Sequence, residues 1–215
     1  MKQNKAFLKI NNHTFLEEII NKLKPFVSNI ILNFNISTFH LYEQNYSLFK
    51  EQNLSLFENK YFLEIFDEDT IKGNFIRGPL IGLYSISKKL YSEFPNYHIL
   101  LIAVDQISIS YNLIKYSLKY LNNYDFIFYK YSDFIHFLPG FYKDNSFKFI
   151  EEYISNNKSN SYSLKNFVNY LYTLENVKIK TIEEKEIKKA DKKGLSFFRV
   201  NTTIDYQNLL KNLIN

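Results

Sequence analysis

The 215-residue chain contains no cysteine, which excludes disulfides, thiolate metal sites and cysteine nucleophiles. Its four histidines, His13, His40, His98 and His136, show no metal-ligand spacing. It has no Walker phosphate loop, no nucleophile elbow and no Ser/His/Asp arrangement. Residues 1–12 are polar and lack the apolar segment of a signal peptide. No apolar run reaches the ~18 residues that span a bilayer. The expectation is a cytoplasmic protein with no membrane partner. Glycine and proline are scarce, at 5 and 4. With no linker-like stretch and no internal repeat, residues 1–215 read as a single domain. The basic stretch Lys185 to Lys193 mixes acids among its lysines and lacks aromatics, which makes it a poor nucleic-acid surface.

What remains is an ordinary globular balance, 46% hydrophobic and 23% charged. The net charge of +5 and pI of about 9.0 favour anionic ligands. The 21 Phe and 18 Tyr fit an AT-rich coding sequence and carry little functional weight. Along the chain, helical and extended patterns alternate. Thr14 to Lys24 reads as a helix opened by a Thr14–Glu17 capping box. Asn29 to Phe34, Leu63 to Phe66, His98 to Val104 and Asp125 to Tyr129 read as strands. Gly78-Pro79 opens a helix that runs to about Leu90. Phe134 to Tyr142 is extended with a Pro-Gly turn. Helices follow at Ser146–Ile154 and Ser163–Leu171. A strand at Val177 to Ile182 precedes a solvated charged loop, a strand at Leu195–Val200 and a last helix from Thr203. Such alternation implies a mostly parallel, three-layer α/β sheet, whose ligands sit beyond the carboxyl ends of its strands.

That rule selects Asn33, the acidic cluster Asp67-Glu68-Asp69, Asp105 and Asn201. A carboxylate at Asp105 suits Mg²⁺, which takes one or two carboxylates plus phosphate oxygens; a helix-capping aspartate is the plainer reading. Three of the nine glycines and prolines fall within five residues, Gly78, Pro79 and Gly82. Glycine there lets backbone approach a ligand at a helix start, and equally suits a tight turn with close packing at Gly82. Acidic loop clusters are usually just solvated, and a lone lysine such as Lys5 is usually a surface residue. His136, beside the Pro-Gly turn, either lines a pocket or is a satisfied structural histidine.

Taken in order, these segments resemble the molybdenum cofactor guanylyltransferase family, within the wider nucleotidyltransferases of Rossmann-like fold. Met1 to Leu8 is similar to the end of that family's opening signature, which runs Leu-Ala-Gly-Gly, a few residues, Arg-Met-Gly, then Asp-Lys and an apolar pair. Ile30-Ile31-Leu32-Asn33 is similar to its second strand. Gly78-Pro79-Leu80-Ile81-Gly82 matches its Gly-Pro-Leu-Ala-Gly helix start, and His98 to Asp105 resembles the strand ending in its metal-binding Asp. Phe197 to Thr202 looks like the Phe-Phe-Asn-hydrophobic-Asn-Thr segment before its last helix. His136 to Tyr142 resembles the segment near its cofactor pocket. The likeness covers nearly the whole chain.

The resemblance implies transfer of GMP from GTP to Mo-molybdopterin with release of pyrophosphate, using Mg²⁺. It implies Lys5 and Asp105 as the catalytic pair, with Mg²⁺ on Asp105. GTP contacts would come from Lys5, Asn33, Asp67 or Asp69, Gly78, Pro79, Leu80 and Asp105. His136, Pro139 and Asn201 would line the pocket for the molybdopterin cofactor. Molybdoenzymes or other cofactor-biosynthesis proteins follow as partners. The alternatives are another nucleotidyltransferase of this fold, or a truncated non-catalytic relative that binds cofactor or a partner protein. Several positions depart from the pattern: the Leu-Ala-Gly-Gly loop and its strand are missing, Lys2 stands for Gly, Asn4 for Asp, Arg199 for Asn and Thr203 for Pro. The expectation is therefore a sheet without its first strand, with Met1 an internal methionine preceded by roughly 15–25 further residues.

Overall fold

The computed structural model describes residues 4–10, 12–57, 62–67, 70–71, 73–76, 78–91, 93, 96–156 and 162–214. A 3-10 turn at Lys5–Phe7 leads into the short hairpin β1 (Lys9–Ile10) and β2 (His13–Thr14), then α1 (Phe15–Leu23) and β3 (Ile30–Phe34). Three short helices follow, α2 (Ile36–Phe39), α3 (Glu43–Gln52) and α4 (Leu54–Phe57). Then come β4 (Phe62–Phe66), the hairpin β5 (Thr70–Ile71) and β6 (Asn74–Phe75), α5 (Pro79–Tyr91) and β7 (His98–Leu101). The second half holds α6 (Tyr111–Leu118), β8 (Phe126–Tyr131), β9 (Phe134–Lys143), α7 (Ser146–Asn156) and α8 (Leu164–Leu171). It closes with β10 (Ile179–Glu183), α9 (Glu184–Ala190), a 3-10 turn at Leu195–Phe197 and α10 (Thr203–Ile214).

Local chemistry explains the first helix. Thr14 Oγ1 accepts the Glu17 amide at 3.2 Å while Glu17 returns a bond to the Thr14 amide, so both orphan donors are satisfied. Phe15, Leu16, Ile19 and Ile20 form the face it buries. Helix α5 is buried all round from Leu80 to Ser87, and Leu80, Ile81 and Leu83 have no exposed surface. Each such side chain contributes about 1.5–3 kcal/mol of burial free energy.

The α/β architecture has a mixed sheet, less parallel than the element order suggests. Strands β3 and β4 pair in parallel, as do β10 and β8, whereas β9 runs antiparallel to both β8 and β7. The strands form a two-stranded sheet β3-β4 and a four-stranded sheet β10-β8-β9-β7. No ladder among the described residues joins β3 to β7, so each is an edge of its sheet. Both sheets share their helical cover. One core cluster gathers Ile31, Leu63 and Ile65 from the first sheet, Ile99, Phe126 and Phe128 from the second, and α5. Helix α1 packs Leu16 and Ile20 against β3, and its last residue, Leu23, against the cluster of β8 and β9.

Four local expectations are corrected. The turn between β8 and β9 falls at Ser132 and Asp133, both at positive φ (49° and 62°), the signature of a type I′ hairpin. Pro139-Gly140 instead lies inside β9, after a cis Leu138–Pro139 bond. Between the Ile127–Phe141 and Tyr129–His136 pairs, β9 carries the four residues 137–140 against the single Phe128. The bulge is where a proline without an N–H is tolerated in an inner strand. Residues 184–190 are helical because a capping box at Glu183 and Glu186 and the buried Ile187 anchor them. Residues 195–197 form a turn because Asp191 accepts the Leu195 and Ser196 amides. Strand β7 stops at Leu101, since the Gln106 amide closes a turn onto Ala103 O at 2.9 Å.

Candidate functional site

Asp105 sits in that turn, beyond the carboxyl end of β7. Its carbonyl accepts the Val200 amide at 3.2 Å, which brings the segment before α10 alongside. Lys5 arrives from the 3-10 turn at the other end of the chain. Its Nζ donates to Asp105 Oδ2 at 3.2 Å and to Asn201 Oδ1 at 2.7 Å. Asn201 is itself held by its amide, which donates to Asp205 Oδ2 at 2.9 Å. Three residues far apart in sequence thus converge on one cation–carboxylate–amide cluster. The other oxygen, Asp105 Oδ1, is buried and accepts no hydrogen bond from the described residues. Buried polar atoms are normally paired. A carboxylate oxygen left free of protein donors is the group a divalent cation takes, and Mg²⁺ draws its remaining ligands from phosphate and water. Asp105 therefore fits a metal as a single anchor. Among the described residues no group of three or more His, Cys, Asp or Glu gathers into a fuller cage.

A second cluster lies on the other sheet. Asn33 on β3 donates from Nδ2 to Asp67 Oδ1 at 2.5 Å, and the Asp67 amide donates to Phe34 O at 2.8 Å. Both side chains rest on Gly82 of α5, where an added Cβ would stand 2.7 Å from Asn33 Nδ2 and 3.5 Å from Asp67 Oδ1. Gly82 is thus a close-packing glycine. Gly78 has φ of +81° and open space around it, so its requirement is conformational. Pro79 is exposed as the first residue of α5, while Leu80 turns its side chain into the core. Asn33 Oδ1, like Asp105 Oδ1, is buried without a donor. Asp69 lies outside the described residues, as do Met1 to Gln3.

The expected cofactor pocket divides. Asn201 joins Lys5 and Asp105 instead of His136. The His136 ring lies 4.4 Å from that of Phe197, and its Nε2 is 3.4 Å from Tyr131 O. Burial holds its pKa below the usual histidine value, and Arg199 acts in the same direction against the Tyr131 carbonyl. Pro139 is buried in the bulge of β9. Two residues went unread in the sequence. Gln106 is fully buried beside Asp105, and Lys22 of α1 donates to Ile107 O at 2.6 Å. The available signal for Gln106 was an amide directly after Asp105 and between apolar residues, Ile99 to Val104 before it and Ile107 and Ile109 after it. An open cavity of about 430 Å³ lies elsewhere, between β4 and α5, lined by Glu64, Phe66, Ser85, Lys88 and Lys89 among others.

Residues 1–168 match the model of the MobA-like NTP transferase domain. A probable molybdenum cofactor guanylyltransferase of Clostridium perfringens strain 13 is 25% identical over 211 residues, covering 97% of this chain and 88% of the relative. Among solved structures, molybdopterin-guanine dinucleotide biosynthesis protein A of Archaeoglobus fulgidus superposes with a TM-score of 0.63 at 18% identity, over 98% of this chain and 90% of that one. The manganese complex of the Rv0371c protein of Mycobacterium tuberculosis does so with a TM-score of 0.55 at 11% identity, over 97% and 92%. At these identities the structural likenesses establish the fold, an α/β nucleotidyltransferase fold.

Proposed function

The chain belongs to the MobA-like NTP transferase family, and from that membership we propose that it is a molybdenum cofactor guanylyltransferase. In this reading a terminal phosphate oxygen of Mo-molybdopterin forms a bond to the α-phosphorus of GTP. The α–β anhydride bond breaks, and pyrophosphate leaves with the electron pair. The observation that carries the reading is the meeting of Lys5, Asp105 and Asn201 beyond the end of β7.

Phosphoryl chemistry of this kind asks the protein for positioning and charge neutralisation. The Lys5 ammonium is the neutralising charge of the chain's own residues. Asp105 would hold Mg²⁺, which when bound offsets phosphate charge and polarises the phosphoryl oxygens. Asn33 and Asp67 supply the hydrogen-bonding edge for the guanosine portion, and the first-turn backbone of α5 at Gly78, Pro79 and Leu80 approaches the nucleotide. His136, with Asn201 at the boundary, would line the side on which the molybdopterin cofactor docks, and Pro139, buried in the bulge of β9, would back it. The reading treats residues 1–215 as one domain. It carries a cytoplasmic location, with molybdoenzymes or other cofactor-biosynthesis proteins as partners. The test is direct: incubate the chain with molybdopterin, Mg²⁺ and GTP, ATP or CTP, and measure pyrophosphate and the dinucleotide product. Product from GTP alone supports the proposal. Transfer from CTP or ATP in preference, or none from any, overturns it.

A further inference from the structure

We infer that Gln106 is the positioning residue for Asp105, locking the turn that carries the carboxylate to the bulge of β9. Gln106 has no exposed surface. Its backbone amide donates to Ala103 O at 2.9 Å, and its side-chain Oε1 accepts the Ala103 amide at 3.0 Å. Ala103 is therefore held at both its polar groups by one residue, with Val104 and Asp105 enclosed between them. The side-chain Nε2 then donates to Leu138 O. That carbonyl lies in the four-residue bulge, outside the regular β8–β9 ladder, and Arg199 reaches the same oxygen at 3.5 Å. With the Val200 amide on Asp105 O, the turn is fixed to itself, to β9 and to the segment before α10.

The chemistry required of Gln106 is specific. A buried side chain at this position must offer one acceptor to Ala103 and one donor to Leu138, and a primary amide offers both. Leucine fills similar space but leaves the Ala103 amide without its acceptor and the Leu138 carbonyl with only the long Arg199 contact, at a cost in free energy. Positioning is thus separable from space-filling. Only the consequence for metal affinity rests on the reading of Asp105 as the metal anchor.

The test uses the full chain with the substitutions Gln106→Leu and Gln106→Glu. Hydrogen exchange of the Ala103 amide reports the turn, titration of Mn²⁺ with GTP reports the carboxylate, and thermal melting reports the fold. In Gln106→Leu the Ala103 amide should exchange about tenfold faster or more, and Mn²⁺·GTP affinity should fall by about tenfold or more, the usual effect of removing a group that orients a metal ligand. GTP binding in EDTA should be unchanged. Gln106→Glu should keep the Ala103 amide protected, because a carboxyl oxygen accepts that hydrogen bond whether protonated or ionised. If the leucine form fails to fold, a folded glutamate variant with an unprotected Ala103 amide overturns the inference. Unchanged Ala103 exchange in Gln106→Leu overturns the inference. So does faster exchange with undiminished Mn²⁺·GTP affinity, which would leave Gln106 a purely structural residue. If the wild-type chain binds no Mn²⁺·GTP, guanylyl transfer is the reading that fails, and Ala103 exchange still decides whether Gln106 holds the turn.

Discussion

The ammonium of Lys5 lies 3.2 Å from a carboxylate oxygen of Asp105, a contact that ties the start of the chain to the turn after β7. Lys5 retains 29% of its side-chain exposure and Asp105 15%, so the pair's net contribution to stability is small, about 0–1 kcal/mol. Its functional weight should be larger. Asp105→Ala is expected to melt close to the wild type yet lose Mg²⁺-dependent GMP transfer by about 100-fold or more, since a metal anchor supplies several kcal/mol of charge stabilisation. Near-normal transfer by the alanine variant would remove Asp105 from the mechanism.

Gly82→Ala sets two effects against each other. Alanine favours a helix interior over glycine by about 1 kcal/mol. The new methyl, however, would sit 2.7 Å from Asn33 Nδ2, and overpacking of this kind costs about 1–3 kcal/mol. The variant should therefore be neutral to less stable and should weaken GTP binding, because the Asn33–Asp67 pair must move. Calorimetric melting and nucleotide titration check both; a more stable variant with unaltered GTP affinity contradicts this account of Gly82.

Nucleotide choice is readable from heat protection. A ligand that binds only the folded state at 100 times its Kd adds about 2.7 kcal/mol, or about 5–10 °C for a chain of this size. GTP should raise the melting temperature by this amount, and ATP and CTP by less. Equal shifts from all three would argue for a different nucleotide or none.

The two half-buried histidines give a pH signature. Burial is the largest influence on His98, and with Lys143 it outweighs the Tyr124 carbonyl, Asp144 and Asp125, so its pKa lies below the ordinary value; His136 shifts the same way. A lowered folded-state pKa means the unfolded chain binds more protons in the window between the two values. The contribution is therefore fully present above about pH 6.5 and is lost as pH falls from there through the folded-state values. The melting temperature should decline between pH 7.5 and 5.5, and His98→Gln should flatten part of that slope. A rise on acidification in this range is incompatible with neutral buried histidines.

Much of this was legible in the residues. The Thr14–Glu17 box, the helix opened by Gly78-Pro79 and the apolar runs of β3 and β7 announce themselves through local rules. The strand-end rule picked out Asp105 and Asn201, but only the resemblance paired Asp105 with Lys5, and Asn201 was assigned to a different pocket. Which strand-end residues meet depends on tertiary register, which local pattern does not encode. The bulge of β9 was hidden because Pro-Gly reads as a turn when the strand's neighbours are unknown. Residues 36–57 gave no stripe to read, since α3 buries only Tyr46 and Phe49. Residues 184–190 looked like a solvated loop because one buried isoleucine suffices to dock that helix.

The division of the sheet has a mechanical consequence. Asn33 and Asp67 ride on the β3–β4 pair, and Asp105 follows a strand of the four-stranded sheet. Among the described residues no backbone ladder bolts these two platforms together; they are strapped by α5 across one face and α1 across the other. Among the described residues the span between the two polar clusters is therefore set by the packing of these two helices. On the proposed reading, a nucleotide gripped at its base by one platform and at its phosphates by the other would act as a cross-brace between them.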